Sequence, residues 1–448
     1  MGIVIPFLAG LALMLLLMIK TKLGPFMSML LGAFIIGIGC GLPAGKAISS
    51  ITTGFGNICR SIGIVIIFGA VLGDYLDKSN ATQRIASTLL RIAGKKRADV
   101  ALSATGFLVS IPVFCDVALI MLAPLVKAIA KKSGQALGAL AVGLALSLLT
   151  TNTYVAPTPA PISIVSILGM DLGESIFWGL IVAAVNCMTI LAYCRFYLEK
   201  KPQGWFQKSD TAIMTDMDEP ESASNNERKG QPSFLASILP VIVPIGLILL
   251  ATTCKMLRVQ NEAFLSVVNM LGDKNIALFI GIVTAVALLY RYLPREEVFK
   301  SMNDALTSSG PVIFITAAGG SLANVINTTG VGKVLADSLT GMALPYLLIP
   351  FLICGFSKFV QGSSSVAVIM ASTLTLPLVQ SGMLSPVVAF IAICAGSGFG
   401  SHVNNSYFWV FANLFGYDTK TTLKSLCVGQ HVMAFTGLLC AYVLSLFL

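Results

Sequence analysis

Val100-Ala-Leu-Ser-Ala-Thr-Gly-Phe-Leu-Val-Ser-Ile-Pro-Val-Phe-Cys-Asp-Val-Ala-Leu-Ile-Met-Leu-Ala-Pro-Leu-Val126 is the stretch on which the fold turns. It is apolar enough for a bilayer, yet basic loops flank it on both sides. Residues 78–97 carry Lys78, Arg84, Arg91, Lys95, Lys96 and Arg97 with no acid, and Lys127, Lys131 and Lys132 follow the stretch. Short basic loops stay on the cytoplasmic side of a membrane. The segment between them must therefore cross an even number of times. Two full spans need about 40 residues, more than this stretch offers. The reading is a re-entrant hairpin that turns at Ile111-Pro112, because proline at that place breaks a continuous helix.

The rest of the chain agrees with a membrane setting. Of its 448 residues 56% are hydrophobic and only 11% charged, where a soluble domain carries roughly 25% charged residues. Apolar runs recur at Ile3–Ile19, Phe26–Leu42, Ile62–Leu76, Ile176–Tyr193, Phe234–Thr253, Ile276–Leu293 and Cys427–Leu448. They lack the alternation of membrane β-strands, so the class is α-helical and polytopic. The net charge of +9 lies in short loops, which makes it a topology signal and argues against a nucleic-acid partner. The ten cysteines form no C-x-x-C pair and lie mostly within apolar runs, as small core residues do. The first apolar run lacks a basic leader and a small-residue cleavage site, so it is expected to be a span and not a signal peptide.

The chain also repeats itself. Val117-Ala-Leu-Ile-Met121 matches Val366-Ala-Val-Ile-Met370, Ser79–Leu89 matches Thr329–Leu339, Leu168-Gly-Met-Asp171 matches Phe415-Gly-Tyr-Asp418, and Leu42-Pro43 matches Leu293-Pro294. All four pairs fall near an offset of 250, the kind of internal repeat that secondary transporters carry. The basic loop 78–97 has a neutral counterpart near 328–347, with only Lys333 and Asp337, and the lysines at 127–132 have uncharged counterparts near Gln380–Pro386. Equivalent loops of opposite character imply inverted repeats. The expected organisation is an N-terminal repeat over 1–198, a polar cytoplasmic linker over 199–232 and a C-terminal inverted repeat over 233–448. Each repeat is expected to hold about five spanning helices plus two re-entrant or broken segments, with both termini outside.

The breaks carry the candidate chemistry, since irregular backbone at membrane depth survives only where it lines a cavity or is buried in protein. Asp116 follows the first turn, where a carboxylate is expensive; it is either a hairpin cap or a group that couples to a proton or cation. Asn152 and Thr153 precede Pro157, Thr158, Pro159 and Pro161. These alternating prolines are expected to hold an extended segment where Asn152, Thr151 and Thr153 are candidates to ligate substrate hydroxyls or a sodium ion, with Thr158 a further substrate-contact candidate, unless the loop is purely structural. The second hairpin, Leu347–Leu378, is expected to turn at Gln361-Gly-Ser-Ser-Ser365, entering from outside. Lys358 in its first arm either snorkels to the surface or attracts an anion, and Gln361, Ser363 and Ser364 are candidate substrate contacts. The last break, Gly396–Trp409, contains His402, Asn404 and Asn405. His402, one of only two histidines, is a coupling or contact candidate, or else structural; His431 reads as structural.

These motifs resemble the gluconate permease family, which includes D-serine and sugar-acid permeases, nearly end to end. Ile111-Pro-Val-Phe-Cys-Asp-Val-Ala-Leu-Ile-Met-Leu-Ala-Pro124 is similar to that family's I-P-V-F-F-D-V-G-F-x-x-L-A-P. Gln361-Gly-Ser-Ser-Ser-Val-Ala367 resembles its Q-G-S-A-T-V-A, with Lys358 where gluconate permeases commonly carry arginine, and Gly400-Ser-His-Val-Asn-Asn-Ser-Tyr-Phe-Trp409 contains a version of its S-H-V-N-D-S-x-F-W. The resemblance implies cation-driven uptake of a small carboxylate, usually with protons, on an ion-transporter fold with paired hairpins in a bacterial inner membrane. The chain departs where the family reads H-x-x-V-P-P-H-P-G-P. Here Asn152 and Thr158 replace both histidines, and Asn405 replaces the aspartate. Neutral amides and hydroxyls carry protons poorly and ligate cations well.

The expected function is therefore secondary active import of a small sugar or hydroxy acid such as gluconate, coupled to H⁺ in preference to Na⁺. Asp116 and His402 are the coupling candidates, and no organic cofactor or metal is expected. The partners are the carboxylate substrate and the lipid bilayer, with a homo-oligomer left open. A D-serine-like permease and a Na⁺-coupled carboxylate transporter are the alternatives. A channel lacks a filter-like signature here, and an enzyme lacks a metal-spaced cluster or a nucleophile–base pair.

Overall fold

The computed structural model describes residues 3–21, 23–94, 97–199, 232–257, 261–293, 295–331, 334, 345–403 and 405–447. Among them the regular structure is helical throughout. Nearly all of the expected linker, 200–231, lies outside the described residues.

The first half comprises α1 (Val4–Lys20), α2 (Gly24–Gly39), α3 (Ala44–Lys78), α4 (Ala81–Ala93), α5 (Ala98–Val109), α6 (Cys115–Ser133), α7 (Leu137–Tyr154), α8 (Pro159–Leu168) and α9 (Leu172–Tyr193), which runs on through a π-helical turn, Cys194–Leu198. The second comprises α10 (Phe234–Met256), α11 (Glu262–Leu271), α12 (Lys274–Leu289), α13 (Arg295–Thr329), α14 (Leu348–Gln361), α15 (Ser364–Gln380), α16 (Pro386–Gly398), α17 (Ser406–Phe415) and α18 (Val428–Ser445). A short helical turn, Thr419–Thr422, and a π-helical turn, Leu423–Cys427, lead into α18.

Six helical stretches among the described residues are long and apolar enough to cross a bilayer, or seven with α3 counted as one span bent by 41°. Ten crossings were expected from the apolar runs. The difference arises because α2 and α16 are apolar but only 16 and 13 residues long, and the apolar part of α1 is shorter still.

The longest elements frame the molecule. α3 and α13 each hold 35 residues, about 52 Å at 1.5 Å per residue, and they pack side by side. Their pairing is antiparallel. Ser50 Oγ lies 3.0 Å from Thr328 Oγ1 near one end, and Lys78 Nζ donates to Ser301 Oγ at 3.1 Å near the other. Between them Asn324 Nδ2 donates to Ser50 O, Ser321 Oγ to Ile51 O, and Tyr75 OH to Val298 O.

Inside this frame α7 and α16 form the centre. α16 is buried along nearly its whole length, and all of α7 except Asn152 is buried. Both are apolar around their circumference, as a helix enclosed by other helices must be. Small residues let neighbours approach α7 closely, as in other membrane bundles. At Gly106 of α5 a Cβ would meet Leu144 O and Ser147 Cβ at 3.0 Å, and beside it Ser103 Oγ and Ser147 Oγ lie 2.6 Å apart.

All four expected breaks are present. α5 stops at Val109 and α6 starts at Cys115, so the chain turns through Ser110–Phe114 around Ile111-Pro112. The turn rests on α3 at Gly73, where any side chain would collide with the Pro112 carbonyl. α14 and α15 are separated by Gly362 and Ser363, with Gly362 at φ +76°, a left-handed conformation open chiefly to glycine. The third break is shorter than expected, because Pro159 and Pro161 belong to the first turn of α8 instead of an extended segment. Proline is suited to that turn, where no intrahelical donor is lost. Only Val155–Thr158 is non-helical, and the Ala156–Pro157 peptide is cis. The fourth break separates α16 from α17 over 399–405.

Candidate functional site

Each break leaves two helix ends inside the molecule, and the second helix of every pair has its N-terminus at the same cavity. A cavity of ≈ 340 Å³ is lined by Cys115 and Asp116 of α6, Pro159 and Ala160 of α8, Ser364 and Ser365 of α15, and Ser406 and Tyr407 of α17. Those are the first two residues of four helices. The cavity lies near the lower end of the roughly 300–1,000 Å³ usual for small-molecule sites. Helix N-termini expose unpaired N–H groups and carry partial positive charge, about half an elementary charge each. Helix N-termini of this kind favour negative charge.

The ends differ in how they are closed. Ser363 Oγ accepts from Val366 N and Asn405 Oδ1 from Tyr407 N, so α15 and α17 are capped by side chains. No side chain caps α6 or α8. In the first turn of α8 the prolines at 159 and 161 have no N–H, which leaves the amide of Ala160 as the donor beside the cavity. The opposing walls come from helix C-terminal ends: Asn152 and Thr153 of α7 and Ser397 of α16.

Six of the residues singled out in the sequence line this cavity: Asp116, Asn152, Thr153, Ser363, Ser364 and Asn405. Asp116 is the only formally charged residue among the lining. Three take other places. Thr158 is buried, and its Oγ1 bonds to Asn152 O at 2.9 Å and Val155 O at 2.7 Å, so it fastens the break. Lys358 neither snorkels nor lines the cavity. It is 1% exposed, and its Nζ donates to Gly362 O and Ser364 Oγ, both at 2.7 Å. It thus spans the turn of the second hairpin from behind, within Coulombic reach of Asp116. His402 lies off the cavity, its Nε2 3.0 Å from Phe359 O and its ring 4.7 Å from that of Phe359. Gln361 is the last residue of α14, but its side chain and the whole of Asn404 lie outside the described residues. His431 is held by Cys427 O at 2.6 Å.

Sequence reasoning missed the contributions of Phe114, Leu149, Val312, Ser397 and Tyr407. Tyr407 stood in the matched motif, and its hydroxyl donates to Ala145 O at 2.7 Å, which ties α17 to α7. Val312, next to Pro311 in the middle of α13, had no polar signal to reveal it. Phe114 also borders a second cavity of ≈ 220 Å³ with Asp74, Asp77 and Asp304.

A larger cavity of ≈ 420 Å³ lies elsewhere, against Asp171, Asp273 and Lys274. Its two carboxylates are already engaged as caps of α9 and α12, and no helix break opens into it.

A family profile described as GntP family permease matches residues 2–447. The chain is 31% identical to a high-affinity gluconate transporter of Escherichia coli K12, and 30% identical to that organism's Gnt-II system L-idonate transporter, in each case over 96% of both chains. Among solved structures it resembles the YdaH transporter of Alcanivorax borkumensis, with a TM-score of 0.67 at 13% identity, over 94% of this chain and 98% of that one.

Proposed function

The chain belongs to the GntP permease family, and from that membership we propose that it imports a small sugar or hydroxy acid of the gluconate type, driven by a cation gradient. It is a multi-pass inner-membrane transporter and not an enzyme. The observation that carries the substrate reading is the meeting of four helix N-termini on one small cavity. A carboxylate is held on the uncapped ends of α6 and α8, and hydroxyls of the cargo meet Asn152, Thr153, Ser364 and Asn405. Lys358 shapes the second hairpin for this contact without touching the cargo.

Charge balance supports the coupling. Asp116 and Lys358 together leave the site neutral, and an arriving carboxylate makes it negative. Two like charges about 5 Å apart at an effective dielectric near 20 repel by about 3 kcal/mol. A proton or a metal cation entering with the substrate removes that repulsion.

The repeat reading places 1–198 and 233–448 as two inverted halves around this site. Its support is the α3–α13 pair, whose bounds differ by 251 at both ends. At that offset Ser50 corresponds to Ser301 and Asp77 to Thr328. The Ser50–Thr328 contact is then matched, one residue away, by the Lys78–Ser301 bond. Equivalent helices that pack antiparallel with reciprocal contacts are what a two-fold axis across the helices produces.

Uptake into proteoliposomes of labelled gluconate, a panel of related hydroxy acids and D-serine tests the function. Saturable accumulation of a hydroxy acid is expected. Saturation by D-serine alone moves the cargo to amino acids, and downhill flux without saturation replaces the transporter by a channel.

A further inference from the structure

Among the residues that line the central cavity, all but one belong to a break or to a helix that starts or stops at one. The exception is Val312, from the middle of α13, a continuous helix of 35 residues fastened to α3 near both of its ends. Neighbours on the same face of α13 fix its position. Residues one and two turns apart share a helix face, and Thr316 and Gly319 follow Val312 at those steps. Ser163 Oγ of α8 and Thr316 Oγ1 lie 3.0 Å apart. Each also reaches a carbonyl one turn back at 2.7 Å, that of Pro159 and that of Val312. Val312 therefore stands level with the start of α8. Farther along, Thr373 Oγ1 of α15 donates to Gly319 O at 3.3 Å, and a side chain at Gly319 would collide with Ile369. Ile369 and Thr373 lie one and two turns beyond Ser365, so Val312 stands level with the start of α15 as well.

We propose that Val312 is the size-determining residue of the cavity, the side chain that fits it to an acid of up to six carbons. The proposal rests on the import reading above and narrows its cargo. On that reading α8 takes the carboxylate and Ser364 of α15 a hydroxyl, so the carbon chain joining them passes over Val312. A β-branched side chain on a helix has one dominant rotamer, and valine offers C–H surface without competing for the cargo's hydrogen bonds. At about 30 Å³ per water, the ≈ 340 Å³ cavity holds about eleven waters. Gluconate, with six carbons and seven oxygens, fills most of that space. The helix ends around it present Cys115, Asp116, Ala160, Ser364 and Ser365, short groups whose places are set by the backbone. The bonds of α13 to α3 keep that wall from withdrawing. A larger residue at 312 must therefore displace the cargo, and the longer the cargo the greater the loss. A single methylene in a close-fitting pocket already discriminates by about 10- to 200-fold.

Uptake of gluconate and glycerate into proteoliposomes of the full chain, each read as maximal rate over KM, tests this. In Val312→Phe the ratio of gluconate to glycerate should fall at least tenfold, with most of the loss in KM for gluconate. Val312→Leu is a smaller step and should move the ratio the same way by less, which keeps the test intact if the phenylalanine variant does not fold. The nearly isosteric Val312→Thr should hold the ratio within about twofold. Melting midpoints without cargo show which variants are folded. Equal losses for the two acids in a folded variant overturn the proposal, as does unchanged gluconate uptake in Val312→Phe, and both results leave acid import standing. A ratio that falls as far in Val312→Thr as in Val312→Phe also overturns it, because polarity and not volume then sets the choice. If the parent accumulates only neutral amino acids, the acid reading falls by itself. Val312 is then judged by the same ratio between a long and a short amino acid.

Discussion

Replacing Lys358 by methionine separates an architectural role from a substrate role. The side chain is 1% exposed and makes two 2.7 Å bonds, to Gly362 O and Ser364 Oγ, across the turn of the second hairpin. Hydrogen bonds to a charged group contribute about 1.5–3 kcal/mol each. Methionine fills most of the volume but leaves both acceptors without their donor and Asp116 without its counter-charge. The two lost bonds together put the destabilisation at about 3 kcal/mol or more, a large share of the roughly 5–15 kcal/mol that holds a typical native state. Lys358→Met should therefore lower the melting midpoint clearly and raise KM for the acid more than it lowers the maximal rate, since the Ser364 wall is displaced. Adding Asp116→Asn removes the uncompensated carboxylate, so the double variant should melt higher than the sum of the two single effects allows, a coupling of about 1 kcal/mol or more. Thermal melts of the four proteins of this cycle, with gluconate kinetics for the Lys358→Met protein, provide the check. If Lys358→Met melts like the parent, or if the cycle is additive, the lysine does not act through the hairpin and Asp116 as argued.

Three further outcomes follow from the same geometry. Gly362→Ala puts a side chain at φ +76° and should destabilise by about 1–2 kcal/mol, read as a lower melting midpoint; an unchanged midpoint means the turn relaxes freely. Gly73→Val drives a side chain into the Pro112 carbonyl and should lift the first hairpin from α3, abolishing uptake even in protein that still elutes as a folded species on size exclusion. His402→Gln should keep gluconate uptake and its pH profile within about twofold, because the imidazole bonds a backbone oxygen outside the cavity and glutamine can replace that bond. A loss of the pH dependence would return His402 to the coupling path.

The breaks were legible in the sequence because proline and glycine act locally. Pro112 at an apolar midpoint and Gly362 before a run of serines are places where a helix tends to end, although Pro240, Pro244, Pro311 and Pro377 lie inside helices here. The reach of the third break was misjudged for an equally local reason. Proline weakens a helix interior but suits its first turn, so Pro159 and Pro161 begin α8 where a longer extended segment was expected. Side-chain destinations were harder to read. A lysine in an apolar arm has two inexpensive solutions, the surface or an anion, and Lys358 takes a third, the carbonyl and hydroxyl of its own turn. That choice depends on a bend of the chain that composition does not encode. Thr158, like Asn152, was a hydroxyl or amide at a break, and only its 2.7 Å bond to Val155 O separates a fastening from a lining group. Val312 carried no signal, since an apolar residue on a long helix looks the same against lipid, core or cargo.

The two charges of the site belong to different halves, and this asymmetry bears on how the halves work together. At the offset of 249 that relates Val117-Ala-Leu-Ile-Met121 to Val366-Ala-Val-Ile-Met370, Asp116 corresponds to Ser365 and Lys358 to Val109. On the repeat reading, each hairpin carries one charge where its counterpart is neutral, an acid at the start of α6 in the first and a base in the last turn of α14 in the second. A symmetric pair of hairpins could bind an anion on its helix ends but would have no way to link that binding to a cation. With the charges divided, any movement of one hairpin against the other weakens the attraction between Asp116 and Lys358. A bound cation at Asp116 and a bound carboxylate at the helix ends supply the missing partners. An acid carried alone leaves the site negative, and a cation carried alone leaves it positive. Both conditions leave an unbalanced charge in the site, whereas the loaded site is balanced. On the repeat reading, the two charges that a coupled transporter would use lie where the hairpins have diverged.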